Sequence, residues 1–291
     1  MRMKFYLWAL IAGVSIFVAT PAAANLFFFS TGNPDGLLGT LSQPASSGKL
    51  ETETADDFVL TQTTTINQAT IFGLLPAGSL PPSFNISNVE VEVYHVFPVD
   101  SVNPPSGNVN TRVNSPADVE IASATRDGKA GTLSFSTALL NPSFAVNNTV
   151  VTGINKKPNQ LTNGEGPATG EEEVFIISNF NTPIVLPADH YFFRPEVALT
   201  SGDFLWLSAP RPIVPPGTPL PPGFTDLQSW IRNTDLKPDW SRIGTDITGQ
   251  GPFNAAFSLA GTAVPEPATL LLLGSGILGL GGIAWRRRGK K

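Results

Sequence analysis

Asn88-Val89-Glu90-Val91-Glu92-Val93-Tyr94-His95-Val96-Phe97 alternates apolar and polar side chains. Successive residues of a strand point to opposite faces. Val89, Val91 and Val93 therefore share one face, and Glu90, Glu92 and Tyr94 share the other. The stretch reads as a half-buried antiparallel strand with one face on a core and one toward water. Working outward, strand-like runs recur at 54–60, 64–74, 131–136, 144–154, 173–179, 190–199, 203–208, 228–233 and 252–262. Turn chemistry separates them: Asn33-Pro34-Asp35-Gly36, Asp127-Gly128, Ser201-Gly202 and Thr248-Gly249-Gln250-Gly251. No long stretch between the chain ends repeats with a period of 3.6. Short strands joined by Gly, Pro and Asn turns predict an all-β body, a jelly-roll-like antiparallel β-sandwich. Irregular spacing and long loops fit a barrel less well.

The two ends read differently. Arg2 and Lys4 precede an apolar run at 5–18, then Thr20, Pro21 and Ala22-Ala23-Ala24. A basic start, an apolar middle and small residues at Ala22 and Ala24 make an export signal helix cleaved before Asn25. At the other end, Val264-Pro265-Glu266-Pro267 precedes the uncharged stretch 268–285 and the basic cluster Arg286, Arg287, Arg288, Lys290 and Lys291. Eighteen helical residues at about 1.5 Å each span about 27 Å, enough to cross a bilayer as a transmembrane helix. The basic tail then faces the cytoplasm and the body faces outward. The expected organisation is a signal peptide at 1–24, an extracellular β-sandwich at 25–263 and a sorting and anchoring segment at 264–291.

With both ends set aside, 11 of the 18 basic residues and 22 of the 23 acidic residues remain, a net charge of −11 for the body. Binding to a phosphate backbone needs clustered Lys and Arg, so nucleic acid is not an expected partner. The chain has no cysteine. Disulfides, thiolate metal sites and thiol nucleophiles are excluded, and packing must hold the body together.

The order Pro265-Glu266-Pro267, apolar Gly-rich helix, Arg cluster resembles the PEP-CTERM sorting signal of Gram-negative bacteria, closely so over Val264-Pro265-Glu266-Pro267-Ala268-Thr269-Leu270-Leu271-Leu272-Leu273-Gly274. The resemblance implies recognition by exosortase, a membrane-embedded cysteine protease or transpeptidase, with cleavage near the motif and transfer to the cell surface or to extracellular polysaccharide. The residues agree with it: two prolines keep the segment extended and unpaired, ready to be taken up as a strand. Within the body, Ala55-Asp56-Asp57-Phe58-Val59-Leu60 with Ile66-Asn67-Gln68-Ala69-Thr70-Ile71-Phe72-Gly73 resembles the opening hairpin of secreted PEP-CTERM β-sandwich domains. Phe253-Asn254-Ala255-Ala256-Phe257-Ser258-Leu259-Ala260-Gly261 resembles their closing strand. These imply one domain, and bring no catalytic residue with them.

A search for chemistry returns little. His95 and His190 fall in separate strands without zinc-ligand spacing and read as structural. No nucleophile elbow or phosphate-binding loop is present. Asp56 and Asp57 are the candidates for a structural calcium ion, one carboxylate acting with backbone carbonyls. As adjacent strand residues they point to opposite faces and cannot share one ion through their side chains. Glu171-Glu172-Glu173 reads as a solvated charge run. Trp230 and Trp240 flank Arg232, Asn233, Asp235 and Asp239, a polar surround that suits sugar stacking. The alternative is that both rings fill the core. Three long loops, at 98–116, 155–173 and 209–224, are either binding loops or solvated connectors; the last holds seven prolines.

The expected function is therefore non-enzymatic: an exported body displayed at the surface or in the extracellular matrix. Its processing partners are signal peptidase and exosortase, it is held transiently by its membrane helix, and it acts by structure or adhesion. The alternatives are a carbohydrate-binding module contacting exopolysaccharide and a secreted hydrolase. No cofactor is expected beyond the calcium considered at Asp56 and Asp57.

Overall fold

The strand at 88–97 keeps its alternation in space. Val89, Val91 and Val93 are buried in the main core, and Glu92 and Tyr94 are buried as well, on the opposite side. The expectation that one face of this strand meets water is corrected, because side chains from 230–240 cover it. The computed structural model describes residues 25–46, 48–76, 86–127, 130–154, 157–178, 180–210 and 228–264.

Among these residues the chain forms β1 (Asn25–Ser30), β2 (Leu38–Leu41), β3 (Thr52–Val59), β4 (Thr64–Leu75), β5 (Ile86–Val96), β6 (Pro116–Asp127), β7 (Ala130–Gly131), β8 (Ser134–Val146) and β9 (Asn148–Val150). It continues with β10 (Ala168–Ser178), β11 (Ile184–Leu186), β12 (His190–Leu199), β13 (Leu205–Ala209), β14 (Trp230–Asn233), β15 (Ser241–Arg242), β16 (Asn254–Ala255) and β17 (Phe257–Ala263). A single π-turn, Ile243–Ile247, follows β15.

Two sheets result. The first is built around β4. One edge of β4 carries β10 and β11, with β8 outside β10; the other edge carries β17 and then β1, and further along β13 and β2. The second sheet runs β15-β14-β3-β12-β5-β6-β7. Pairing is antiparallel except between β2 and β9, which run parallel with Leu38 opposite Asn148. That pair corrects the expectation of a wholly antiparallel sandwich.

The main core fills the space between the sheets. Phe29, Ile71, Phe175, Trp206 and Phe257 come from the first sheet, and Phe58, Val91, Tyr191, Phe193 and Val197 from the second. Rings pack edge-on or stacked, as in Trp206 against Phe257 at 5.7 Å and Phe193 against Phe257 at 5.5 Å. A smaller cluster of Leu41, Leu74, Val146, Leu205 and Leu207 sits on the other side of the first sheet. Gly73 is required where the layers meet, since a Cβ there would lie 2.1 Å from the buried Phe204 ring.

Several strands lack the pattern that marks β5. β1 precedes any polar alternation, and β6 mixes Asp118, Glu120 and Arg126 with small residues. β8 spans 134–146 as one element where the sequence suggests separate strands at 131–136 and 144–154, because Pro142 and a register shift opposite Glu172 and Glu173 interrupt its periodicity. The signal helix at 1–24 and the transmembrane helix at 268–285 lie outside the described residues, as does most of the proline-rich loop at 209–224.

Candidate functional site

Among the described residues the second sheet carries a network of acidic and basic side chains on its outer side. Alternation on β3, β5 and β12 sends Phe58, Val91 and Phe193 inward, and on these strands and β14 it puts Glu53, Glu90, Glu92, Arg194, Glu196 and Arg232 outward beside Ala55, Tyr94, Phe192 and Trp230. Strand pairing then sets them side by side, with Arg232 opposite Glu53 and Arg194 opposite Glu92. All but Glu90 are nearly inaccessible to water.

The contacts form one network. Arg232 Nε donates to Glu53, and its guanidinium lies 4.2 Å from the centre of the Trp240 ring. Lys237 Nζ reaches the other oxygen of Glu53 at 2.6 Å and Glu51 at 2.9 Å. Arg194 Nε donates to Glu92 at 3.0 Å, and its Nη1 pairs with Glu196 at 2.5 Å. The Tyr94 hydroxyl donates to Glu92, and Arg232 Nη2 donates to that hydroxyl at 3.4 Å. Arginine suits such a site because its planar fork serves two carboxylates at once.

Burial raises the pKa of every carboxylate here, and the neighbouring cations decide which are brought back down. For Glu53, burial is overcome by Arg232, Arg194 and Lys237, and the pKa ends below its ordinary value. For Glu92, burial is overcome by Arg194 and by hydrogen bonds, and the pKa falls to about 2. Glu196 goes the other way, to about 8: burial outweighs Arg194, and Glu53 adds repulsion. Glu90 is raised to about 7, first by burial. Burial pulls Arg194 down, but Glu196, Glu53, Tyr94 and Glu92 reverse this and hold it charged.

Two segments cover the network. The turn after β14 brings Trp240 edge-on to Tyr94, with ring centres 6.1 Å apart. The loop after β5 is pinned by Arg112, which pairs with Asp118 and reaches Asp239 at 3.4 Å; the Ser106 amide also donates to Asp239, at 3.1 Å. The loop at 98–116, read from the sequence as either a binding loop or a solvated connector, is thus tied down over the sheet. These buried pairs tie four strands together, and Glu196 Oε1 is left buried without a hydrogen-bond partner among the described residues.

The other expected sites fall elsewhere. Trp230 and Trp240 are each 0% exposed, so neither presents a face to a sugar; the core-filling reading describes them and the glycan-contact reading is corrected. Asp56 and Asp57 diverge as strand neighbours must. Asp56 accepts from the amides of Asp57, at 2.8 Å, and Ala255; Asp57 accepts from His190 Nε2 at 2.7 Å. Burial lowers His190 to about 4, so the ring is neutral at pH 7 and donates to Asp57. Among the described residues no group of three or more His, Asp or Glu side chains is arranged to hold a metal ion. Glu171, Glu172 and Glu173 are largely buried rather than solvated, because β10 is flanked on both sides by β4 and β8. A surface groove of about 490 Å³ beside Pro210 is lined by one carboxylate, Asp35, which already accepts from Ser208 Oγ at 2.6 Å.

Pro265, Glu266, Pro267, Arg286, Arg287 and Arg288 lie outside the described residues, as do Ala22 and Ala24 of the signal cleavage site. Their flanks are described. Asn25 opens β1 and lies opposite Ala263, which closes β17, so the first and last strands of the body are neighbours. Residues 263–288 match the model of the PEP-CTERM protein-sorting motif. This chain carries a PEP-CTERM protein-sorting motif. A PEP-CTERM motif implies an exported, cell-surface-associated protein processed by exosortase. The PEP-CTERM match starts at Ala263, the last residue of β17, and it describes sorting rather than the sandwich. No curated protein and no solved structure matches the chain.

Proposed function

We propose that this PEP-CTERM protein delivers a non-catalytic β-sandwich to the cell surface or extracellular matrix, where the body serves as a structural or adhesive element. The PEP-CTERM motif at 263–288 carries the reading, since it supplies the address. The body supports it in two ways. The charged groups on the outer side of its second sheet are taken up in buried pairs between strands, and the groove beside Pro210 is lined by a single carboxylate where a glycosidase uses two. Sorting in this reading uses the Pro265-Glu266-Pro267 segment as the extended recognition strand and Arg286, Arg287 and Arg288 as the cytoplasmic stop.

Mass spectrometry of the mature protein tests it. The expected C-terminus lies near Pro265-Glu266-Pro267, and a chain ending before Pro265 is expected to be exported but released in soluble form. An exported protein that keeps Lys291, or a truncated chain that stays in the membrane, refutes the sorting reading.

A further inference from the structure

The two sheets differ in how their free edges are protected. In the second sheet β6, covered beyond β5 among the described residues only by the two-residue β7 at Arg126 and Asp127, carries the exposed Glu120 along its open stretch, and the edge strand β15 carries Arg242. Charged side chains are the common device that stops edge strands from pairing with other chains. In the first sheet β8 is thirteen residues long, Ser134-Phe135-Ser136-Thr137-Ala138-Leu139-Leu140-Asn141-Pro142-Ser143-Phe144-Ala145-Val146, and none is charged. Among the described residues β8 pairs with β10 along one edge and with no strand along the other. Leu139 and Leu140 are 40% and 50% exposed. Pro142 and the bulge near Leu140 blunt the second half only, so Ser134–Leu139 is a bare edge about 20 Å long at ~3.3 Å per residue.

We propose that this edge pairs with the same edge of a second copy, antiparallel and about a two-fold axis, extending the first sheet across two molecules. The occupant follows from hydrogen bonding and charge. Unpaired N–H and C=O groups in a row accept a strand. The body bears a net charge of −11, which opposes association of two copies, and an uncharged edge is the surface on which like charges are not brought directly opposite each other. β8 is such a surface on both, and an isologous contact closes on itself rather than growing into a fibre. Val174 and Ile176, beside it on β10, are also uncharged and partly exposed. The inference goes beyond sorting and does not rest on it.

The chain lacks cysteine, so a single introduced thiol reports without background. The full exported chain is made with Ser136→Cys, Thr137→Cys or Ala138→Cys and treated with a short bismaleimide. In an antiparallel two-fold pair the residue at the axis faces its own copy. One of the three positions is expected to give a covalent dimer strongly, while Val119→Cys on the charged edge β6 does not. Adding Ala138→Lys or Ser136→Lys to the cross-linking variant is expected to abolish the dimer while leaving the thermal melt unchanged. No dimer at any of the three positions, equal cross-linking at Val119, or dimers that survive both lysines overturns the proposal. The mature C-terminal mass is read on the same samples, so failure to associate is separable from failure to be sorted.

Discussion

Replacing Arg194 by Met removes the cation that Glu92 and Glu196 share on the outer side of the second sheet. Arg194 is 2% exposed, Glu196 is 1% exposed and Glu92 is 6% exposed, so the carboxylates left behind cannot recruit water in its place. Breaking a buried ion pair from one side costs about 3–5 kcal/mol because a charge is stranded. For a body the size of Asn25–Val264 each kcal/mol moves the melting midpoint by about 2–4 °C, so the drop is roughly 6–20 °C. Circular dichroism melts of the exported body measure it. The stranded Glu92 carboxylate escapes by taking up a proton, whereas Glu196, with its pKa at about 8, is already protonated below that pH; the loss is expected to shrink as pH falls toward 5. Adding Glu92→Gln and Glu196→Gln to Arg194→Met removes the stranded charges and is expected to restore most of the midpoint. A single variant melting within about 2 °C of the parent, or a triple variant no better than the single, refutes the claim that this network is desolvated and mutually paired.

Two further outcomes follow from the same structure. Glu196 has its folded pKa raised from 4.5 to about 8, chiefly by burial. The folded state therefore binds a proton there that the unfolded chain has already released. Stability from this group is complete below about 4.5 and is lost as pH rises through 8. The melting midpoint is expected to fall between about pH 5 and pH 8, and Glu196→Gln to flatten that slope; an equally steep slope in the variant contradicts the assignment. Gly73→Ala places a methyl 2.1 Å from Phe204, which is fully buried and has no room to retreat. A loss of about 1–3 kcal/mol is expected in denaturant titration, and an unchanged midpoint shows that the Gly73 contact with Phe204 is looser than described.

Much of this protein was legible along the chain because its signals are local. Val89, Val91 and Val93 announce their strand through a two-residue period, and a buried face enforces that period in space. The sorting segment is legible for the same reason: two prolines, an uncharged stretch and a basic stop act in linear order and need no partner from elsewhere. Trp230 and Trp240 were ambiguous, since a polar neighbourhood in sequence says nothing about burial; Arg232 lies under the Trp240 ring only because β14 pairs with β3.

The ion network was not legible at all. Glu53, Glu92, Arg194, Glu196 and Arg232 are scattered over four strands, and each reads alone as a solvated charge. Strand order and register bring them together, and the loop pinned by Arg112 then closes water out. The open edge of β8 has the same origin, since its uncharged run is an edge because no strand among the described residues lies beyond it. Local pattern fixed the secondary structure and the address of this protein. Which charges are buried together and which edge stays open depended on contacts between residues more than a hundred positions apart, and no linear pattern encodes those.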